Sequence, residues 1–188
     1  MPRRTSHVVG FDDAPFERSH RGDVLIVGAV FAGARLDGVL SCKVRRDGAN
    51  ATQALAECLC RSRFYPQVHA VLLQGIAFAG FNVVDIHGLH AAVNRPVLVV
   101  ARRKPNLTAI RNALLAHVRG GARKWQLIEA AGPMEPLRGL HVQRAGICLA
   151  DARTLLDAVI VHSIIPEPLR TAHLIAAGVT LGESRRRV

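Results

Sequence analysis

Apolar positions in the first quarter of the chain come in runs of strand length. His7 to Phe11 (HVVGF) is a short β-type run that ends in Asp12-Asp13, and Ala14 to Gly22, carrying Pro15 and Gly22, reads as a loop. Val24 to Phe31 is almost wholly apolar. Leu36 to Arg46 alternates loosely after a short Ala-Gly turn, so the two segments predict neighbouring antiparallel strands. From Asp47-Gly48-Ala49-Asn50-Ala51-Thr52 onward the period changes, with Leu55, Cys58 and Leu59 on one helical face in a segment that runs to Ser62.

Val68 to Leu73 (VHAVLL) is a continuous apolar run, the pattern of a central strand buried on both faces, and Gln74-Gly75 follows at its C-terminal end. Phe81 to Ala92 predicts a short helix through Val84, Leu89 and Ala92. Pro96 to Ala101 predicts another buried strand, and the basic triplet Arg102-Arg103-Lys104 comes directly after it. Asn106 to Val118 predicts an amphipathic helix ended by Gly120-Gly121. Trp125 to Glu129 and Leu140 to Val142 predict two further strands, parted by a loop with Pro133, Pro136 and Gly139. Leu149 to Val161 and Leu169 to Ala177 predict helices, with Pro166 and Pro168 between them. Three early strands followed by alternating helix and strand predict an α/β fold built on a mixed sheet. The reading is one domain over residues 1–184, with 185–188 as a basic tail; a chain of 188 residues supports one core.

Composition narrows the classes of function. Hydrophobic residues make up 49% of the chain and mean hydropathy is +0.20, which excludes disorder for most of it. Lys and Arg number 25 against 14 Asp and Glu, a formal net charge of +11 that favours a polyanionic partner such as nucleic acid. Only Lys43, Lys104 and Lys124 of those basic residues are lysine, so an arginine-rich background accounts for the charge equally well. The longest apolar run, Val24 to Ala34, is too short to cross a bilayer of about 30 Å, so no membrane span is expected. Met1-Pro2-Arg3-Arg4 leads into a strand pattern instead of an apolar signal core, which predicts a cytoplasmic protein. Cys42, Cys58, Cys60 and Cys148 form no Cys-x-x-Cys pair, so buried thiols in a reducing compartment are expected, not a zinc site.

Acidic residues at strand ends are the most suggestive chemistry. Asp12 and Asp13 close the first strand, and Asp47 sits where the third gives way to a helix. Carboxylate oxygens are the natural ligands of Mg²⁺, and acids from separate strand ends can meet above a sheet as in a metal-dependent phosphodiesterase. The plainer reading is that each caps a turn or helix, which Asp47 before Gly48 fits well. Asp85, His87 and His90 (DIHGLH) could share a helix face and bind a transition metal, although an unliganded helix face is the commoner outcome. On composition alone His173 is a core or surface histidine. Gly75 to Gly80 lacks both the dinucleotide-binding glycine spacing and the Lys-Ser/Thr of a phosphate-binding loop, and no Gly-x-Ser-x-Gly elbow occurs.

Four segments carry a resemblance. Gly10-Phe11-Asp12-Asp13-Ala14-Pro15-Phe16, Asp47-Gly48-x-x-Ala51-Thr52, Gly75 to Ile86 (GIAFAGFNVVDI) and Pro166 to Ala176 (PEPLRTAHLIA) occur in this order. Together they resemble the endonuclease-V-like domain-of-unknown-function family ninety-nine, over a span from His7 to Ser184. The resemblance implies an RNase H-like fold, with three antiparallel strands followed by parallel ones and helices flanking the sheet. It also implies kinship with endonuclease V, which cuts inosine-containing DNA or RNA using Mg²⁺ or Mn²⁺. Asp12 matches the first metal-binding aspartate, and Asp47 matches the position of the second acid, normally Glu. His173 matches a histidine near the active site in a similar proline-flanked motif, and Arg102 falls near a lysine that follows the buried strand. Gln74 departs from the pattern, standing where endonuclease V has a third catalytic aspartate; it offers a metal an oxygen without a charge. The short aromatic wedge with which endonuclease V opens the duplex is not recognisable.

Two functions follow. In the first, a metal-dependent nuclease holds Mg²⁺ or Mn²⁺ on Asp12 and Asp47, with Asp13, Gln74 and His173 around it, and Arg102, Arg103 and Lys104 neutralise the phosphate backbone. In the second, the fold and its basic surface bind nucleic acid without turnover.

Overall fold

A computed structural model describes residues 7–184. The expectations for Met1-Pro2-Arg3-Arg4 and for the basic tail 185–188 fall outside those residues. In chain order the elements are β1 (His7–Asp13), β2 (Asp23–Ala32), β3 (Arg35–Arg45), α1 (Ala51–Cys60), β4 (Ala70–Gln74), β5 (Ala77–Phe78), β6 (Asn82–Val83), α2 (Ile86–Val93), β7 (Val97–Ala101), α3 (Leu107–His117), α4 (Gly121–Ala130), β8 (Glu135–Leu137), β9 (Leu140–Ala145), α5 (Leu149–Val159) and α6 (Glu167–Leu181).

Seven strands form one sheet in the order β3-β2-β1-β4-β7-β9-β8. The first three pair antiparallel as a meander, and β4 and β7 then run parallel to β1. This is the RNase H-like arrangement that the resemblance implies. Two further strands, β9 and β8, extend the far edge in antiparallel fashion. The parallel strands β4 and β7 are covered on both faces, which explains their unbroken apolar sequences.

Alternation along the strands divides the core. Val9, Phe11, Val71, Leu73, Val97 and Val99 face one side and pack with Leu55 and Leu59 of α1 and Ile86 and Leu89 of α2. Val8, Leu72, Leu98 and Val100 face the other side, against Leu155 and Leu156 of α5 and Leu169 at the start of α6. Removing one such fully buried side chain from water contributes about 1.5–3 kcal/mol. Further along, Ala172 and Ala176 of α6 lie on Val27, Ala29 and Phe31 of β2.

Close contact between α6 and β1 depends on Gly10. A Cβ there would stand 2.6 Å from the carbonyl carbon of Pro168 and 2.7 Å from the nitrogen of Leu169. Only a residue without a side chain lets the first turn of α6 rest on the strand backbone.

The expected strand at Trp125–Glu129 is instead part of helix α4. Its buried positions are Gly121, Lys124 and Ile128, spaced by three and four, so the period is helical and the short apolar stretch was ambiguous by itself. The helix expected over 81–92 starts later. Asp85 caps α2 by accepting the Gly88 N–H at 2.8 Å, and residues 82–83 pair with 77–78 as a small antiparallel hairpin. Helix α6 extends past the expected Leu169–Ala177 at both ends, and it starts earlier because Pro168 sits in its first turn, where a missing N–H costs nothing.

Asn82 ties the small hairpin to the main sheet. It is wholly buried, its Oδ1 accepts the Ala51 N–H at 3.0 Å, and its Nδ2 donates to Arg45 O and Asn50 Oδ1, both at 2.8 Å. Asn82→Ala leaves the buried Ala51 N–H at the start of α1 without its acceptor and cuts the tie to Arg45 O, at a cost of about 1–3 kcal/mol. The urea midpoint should fall accordingly, and an unchanged midpoint would contradict this role.

Candidate functional site

The C-terminal ends of β1 and β4 lie side by side, because Phe11 pairs with Leu73 one step before Asp12 and Gln74. Asp12 leaves the sheet toward α6, where His173 Nδ1 lies 2.8 Å from Asp12 Oδ2. Asp12 Oδ1 accepts the Asp13 N–H at 2.9 Å. The side chain is only 4% exposed, and this burial raises its pKa above the usual carboxylate range, with His173 pulling in the opposite direction. Gln74 Oε1 is buried without a hydrogen-bond partner. Asp12, Asp13, Gln74 and His173 line one open cleft of about 460 Å³, with Ala14, Pro15 and Phe16 as its remaining wall.

Asp13, in the same cleft, accepts the Ala79 N–H on Oδ2 at 2.6 Å. Burial first, and then the charge of Asp12, push its carboxyl up to about 6 from an ordinary 3.8. A raised acid pKa in the folded protein means that the proton stabilises the fold. That contribution is complete below about pH 4 and disappears as pH rises through about 6. Metal-free Asp13→Asn should therefore melt higher than the parent at about pH 7.5, by an amount worth about 2–3 kcal/mol, and almost equally at about pH 4. Equal melting temperatures at both pH values would refute it.

Asp47 does not line the cleft. Its Oδ1 accepts the Phe81 N–H at 2.8 Å, its Oδ2 pairs with Arg46 Nε at 3.2 Å, and its own N–H donates to Ala79 O at 2.9 Å. Ala79 therefore bridges Asp13 and Asp47 through its two backbone groups, in a left-handed conformation with φ 48°. Gly80 follows at φ 85°, and a Cβ on it would lie 2.4 Å from Asp47 Oδ1. Lys124 Nζ donates to Asp47 O from α4; burial lowers the pKa of this ammonium while the charge of Asp47 opposes the shift.

Arg102, Arg103 and Lys104 are exposed just past β7, one strand over from Gln74. The Asp85, His87 and His90 grouping is spent on structure. Asp85 caps α2, His87 Nε2 meets Ala130 O at 3.1 Å, and His90 Nδ1 meets Arg95 O at 2.8 Å. Cys42 and Cys58 are half-buried neighbours across β3 and α1, but Cys60 and Cys148 are exposed, contrary to the expectation of burial. Among the described residues no three His, Cys, Asp or Glu side chains form a metal cluster, and no helix is long and apolar enough to cross a membrane.

The family model described as Endonuclease dU matches residues 4–180. This chain belongs to the Endonuclease dU family. A UPF0215 protein of Deinococcus radiodurans is 60% identical over 164 residues, covering 87% of this chain and 84% of that protein. One from Methanothermobacter thermautotrophicus is 44% identical over 182 residues, covering 95% and 89%. Among solved structures, a protein of unknown function from Archaeoglobus fulgidus superposes with a TM-score of 0.86 at 31% identity, over 92% of this chain and 97% of that one. The catalytic domain of human endonuclease V gives 0.61 at 16% identity, over 96% and 85%. Ciona intestinalis endonuclease V, solved with a 24mer DNA containing an inosine, gives 0.56 at 14% identity, over 90% and 83%. This Endonuclease dU family member thus has the RNase H-like fold of endonuclease V, as the sequence resemblance implies.

Sequence reasoning missed Ala79, Asn82 and Lys124. A buried lysine at a helical interval from Ile128 is a signal that the strand assignment concealed, whereas nothing in an alanine announces a left-handed backbone.

Proposed function

We propose that this chain is a metal-dependent endonuclease that hydrolyses phosphodiester bonds in deoxyuridine-containing DNA at the Asp12 cleft. The observation that carries the reading is the juxtaposition of a buried carboxylate, Asp12, with the unpartnered buried oxygen of Gln74 in one open cleft. Hard divalent cations take oxygen ligands and satisfy both defects, so Asp12 and Gln74, with Asp13 beside them, fit Mg²⁺ or Mn²⁺. When bound, such an ion polarises the phosphate and lowers the pKa of water.

The protein's own groups supply orientation and charge. His173 holds Asp12 in one rotamer and offsets its charge from α6. Asp47 acts from behind the cleft, positioning Asp13 through Ala79. Arg102, Arg103 and Lys104 meet the phosphate backbone at the neighbouring strand end. The name of the family supports deoxyuridine as the target, and the DNA complex of the Ciona fold relative supports a nucleic-acid partner.

Gln74, with one negative charge fewer than an aspartate, favours the second reading, binding without turnover. An end-labelled oligonucleotide with one deoxyuridine separates the two. Cutting in Mg²⁺ or Mn²⁺ that stops in EDTA supports the nuclease, whereas binding without cutting in any divalent ion supports the binder.

A further inference from the structure

On the sheet face away from α6, strand β3 turns Leu40, Cys42 and Val44 toward helix α1. The helix presents Ala54 and Cys58 to them, four residues apart and so on one side. Both cysteines are half-buried, and both line a cleft of about 440 Å³ between strand and helix, with Lys43, Glu57 and Arg61 among its polar walls. The two side chains touch. The Cys42 thiol donates to the Cys58 sulfur, a contact that keeps the first protonated and lowers the pKa of the second, against the effect of burial. The other two cysteines are elsewhere. Cys60 Sγ turns toward Ala92 O at 4.0 Å, and Cys148 caps α5, which packs on the opposite face of the sheet.

We propose that Cys42 and Cys58 form a reversible dithiol–disulfide site whose oxidising substrate is a hydroperoxide, with hydrogen peroxide as the simplest. The Cys58 thiolate attacks one peroxide oxygen and the O–O bond breaks. The other oxygen leaves as hydroxide and takes up a proton to become water, while Cys58 becomes a sulfenic acid. The Cys42 sulfur then attacks the Cys58 sulfur. An S–S bond forms, the S–O bond breaks, and the hydroxyl departs with the Cys42 proton as a second water. The two thiols give up two electrons and the peroxide accepts them; a dithiol reductant returns both thiols by exchange. A resolving thiol already in contact with the attacking one closes the bridge before Cys58 can oxidise further. The bridge ties the edge strand β3 to α1 and closes residues 43–57, with the corner at Asp47, into a covalent loop. Such a link restricts the unfolded chain and so stabilises the oxidised protein. The site lies outside the Asp12 cleft and is independent of the nuclease reading.

The test treats the reduced protein with equimolar hydrogen peroxide, blocks the remaining thiols with N-ethylmaleimide and maps the unreduced tryptic peptides by mass spectrometry. Trypsin leaves Cys58 and Cys60 on one peptide, Asp47–Arg61, so the exposed Cys60 is first replaced in a Cys60→Ser protein. That peptide should appear joined to Leu36–Lys43, lighter by two hydrogen atoms, with Cys148 blocked. Dithiothreitol should restore both thiols. The oxidised protein should melt about 5–10 °C above the reduced one. Cys42→Ser should arrest the reaction at the Cys58 sulfenic acid, which dimedone captures. If Cys42→Ser does not fold, the peptide map and the melting shift decide the matter, because neither needs a substitution at the pair. Maleimide on both Cys42 and Cys58 after peroxide, oxidation falling on Cys148 ahead of the pair, or a bridge that lowers the melting temperature would each overturn the proposal.

Discussion

Asp12→Asn is expected to lower cleavage by about 10³-fold or more, equivalent to about 4 kcal/mol of lost transition-state stabilisation. The substitution keeps the shape of the side chain and an oxygen to accept the Asp13 N–H. It removes the charge that a cation would need at the one cleft carboxylate held by His173. Burial already disfavours that charge in the protein alone, so Asp12→Asn should unfold at the same denaturant concentration as the parent or a higher one. Affinity for nucleic acid should also hold or rise, because a negative group is lost near the phosphates. Single-turnover cleavage measured beside equilibrium binding checks both halves. Loss of binding together with cutting would mean that Asp12 maintains the fold and not the chemistry.

Gly10→Ala is expected to damage stability and activity together. Its methyl group would overlap backbone atoms of Pro168 and Leu169, which cannot rotate away as a side-chain tip could. Overpacking of this kind costs about 1–3 kcal/mol, relieved by lifting α6 from β1. His173 rides on that helix, so the 2.8 Å contact with Asp12 lengthens as the helix moves. Calorimetry should show a lower melting temperature, and cleavage below that temperature should fall as well. A stable Gly10→Ala with full activity would show that the register of α6 on β1 does not build the site.

Much of this architecture was legible in the sequence. Unbroken apolar runs at Val24–Phe31 and Pro96–Ala101 marked buried strands, and the change of period after Asp47 marked the first helix. The resemblance at Pro166–Ala176 singled out His173 among nine histidines, which composition could not do, and the structure sets that side chain 2.8 Å from Asp12. Failures came where local pattern and tertiary contact disagree. Trp125–Glu129 is short and apolar enough for either structure, and only the sides buried against α3 and the hairpin decide it. Asp47 lies at the expected point in the chain, but its carboxylate faces the 79–81 loop, because Gly80 leaves room there and the Phe81 N–H receives it. Such a choice depends on a backbone more than thirty residues away.

If Asp12 and Gln74 hold the ion and Asp47 does not, the anomalous scattering of Mn²⁺ in crystals grown with the metal locates it in the Asp12 cleft. The expected peak lies within about 2.0–2.3 Å of oxygen atoms of Asp12 and Gln74. A peak on Asp47 with none at Asp12, or a cleft without manganese at concentrations that support cutting, would contradict it.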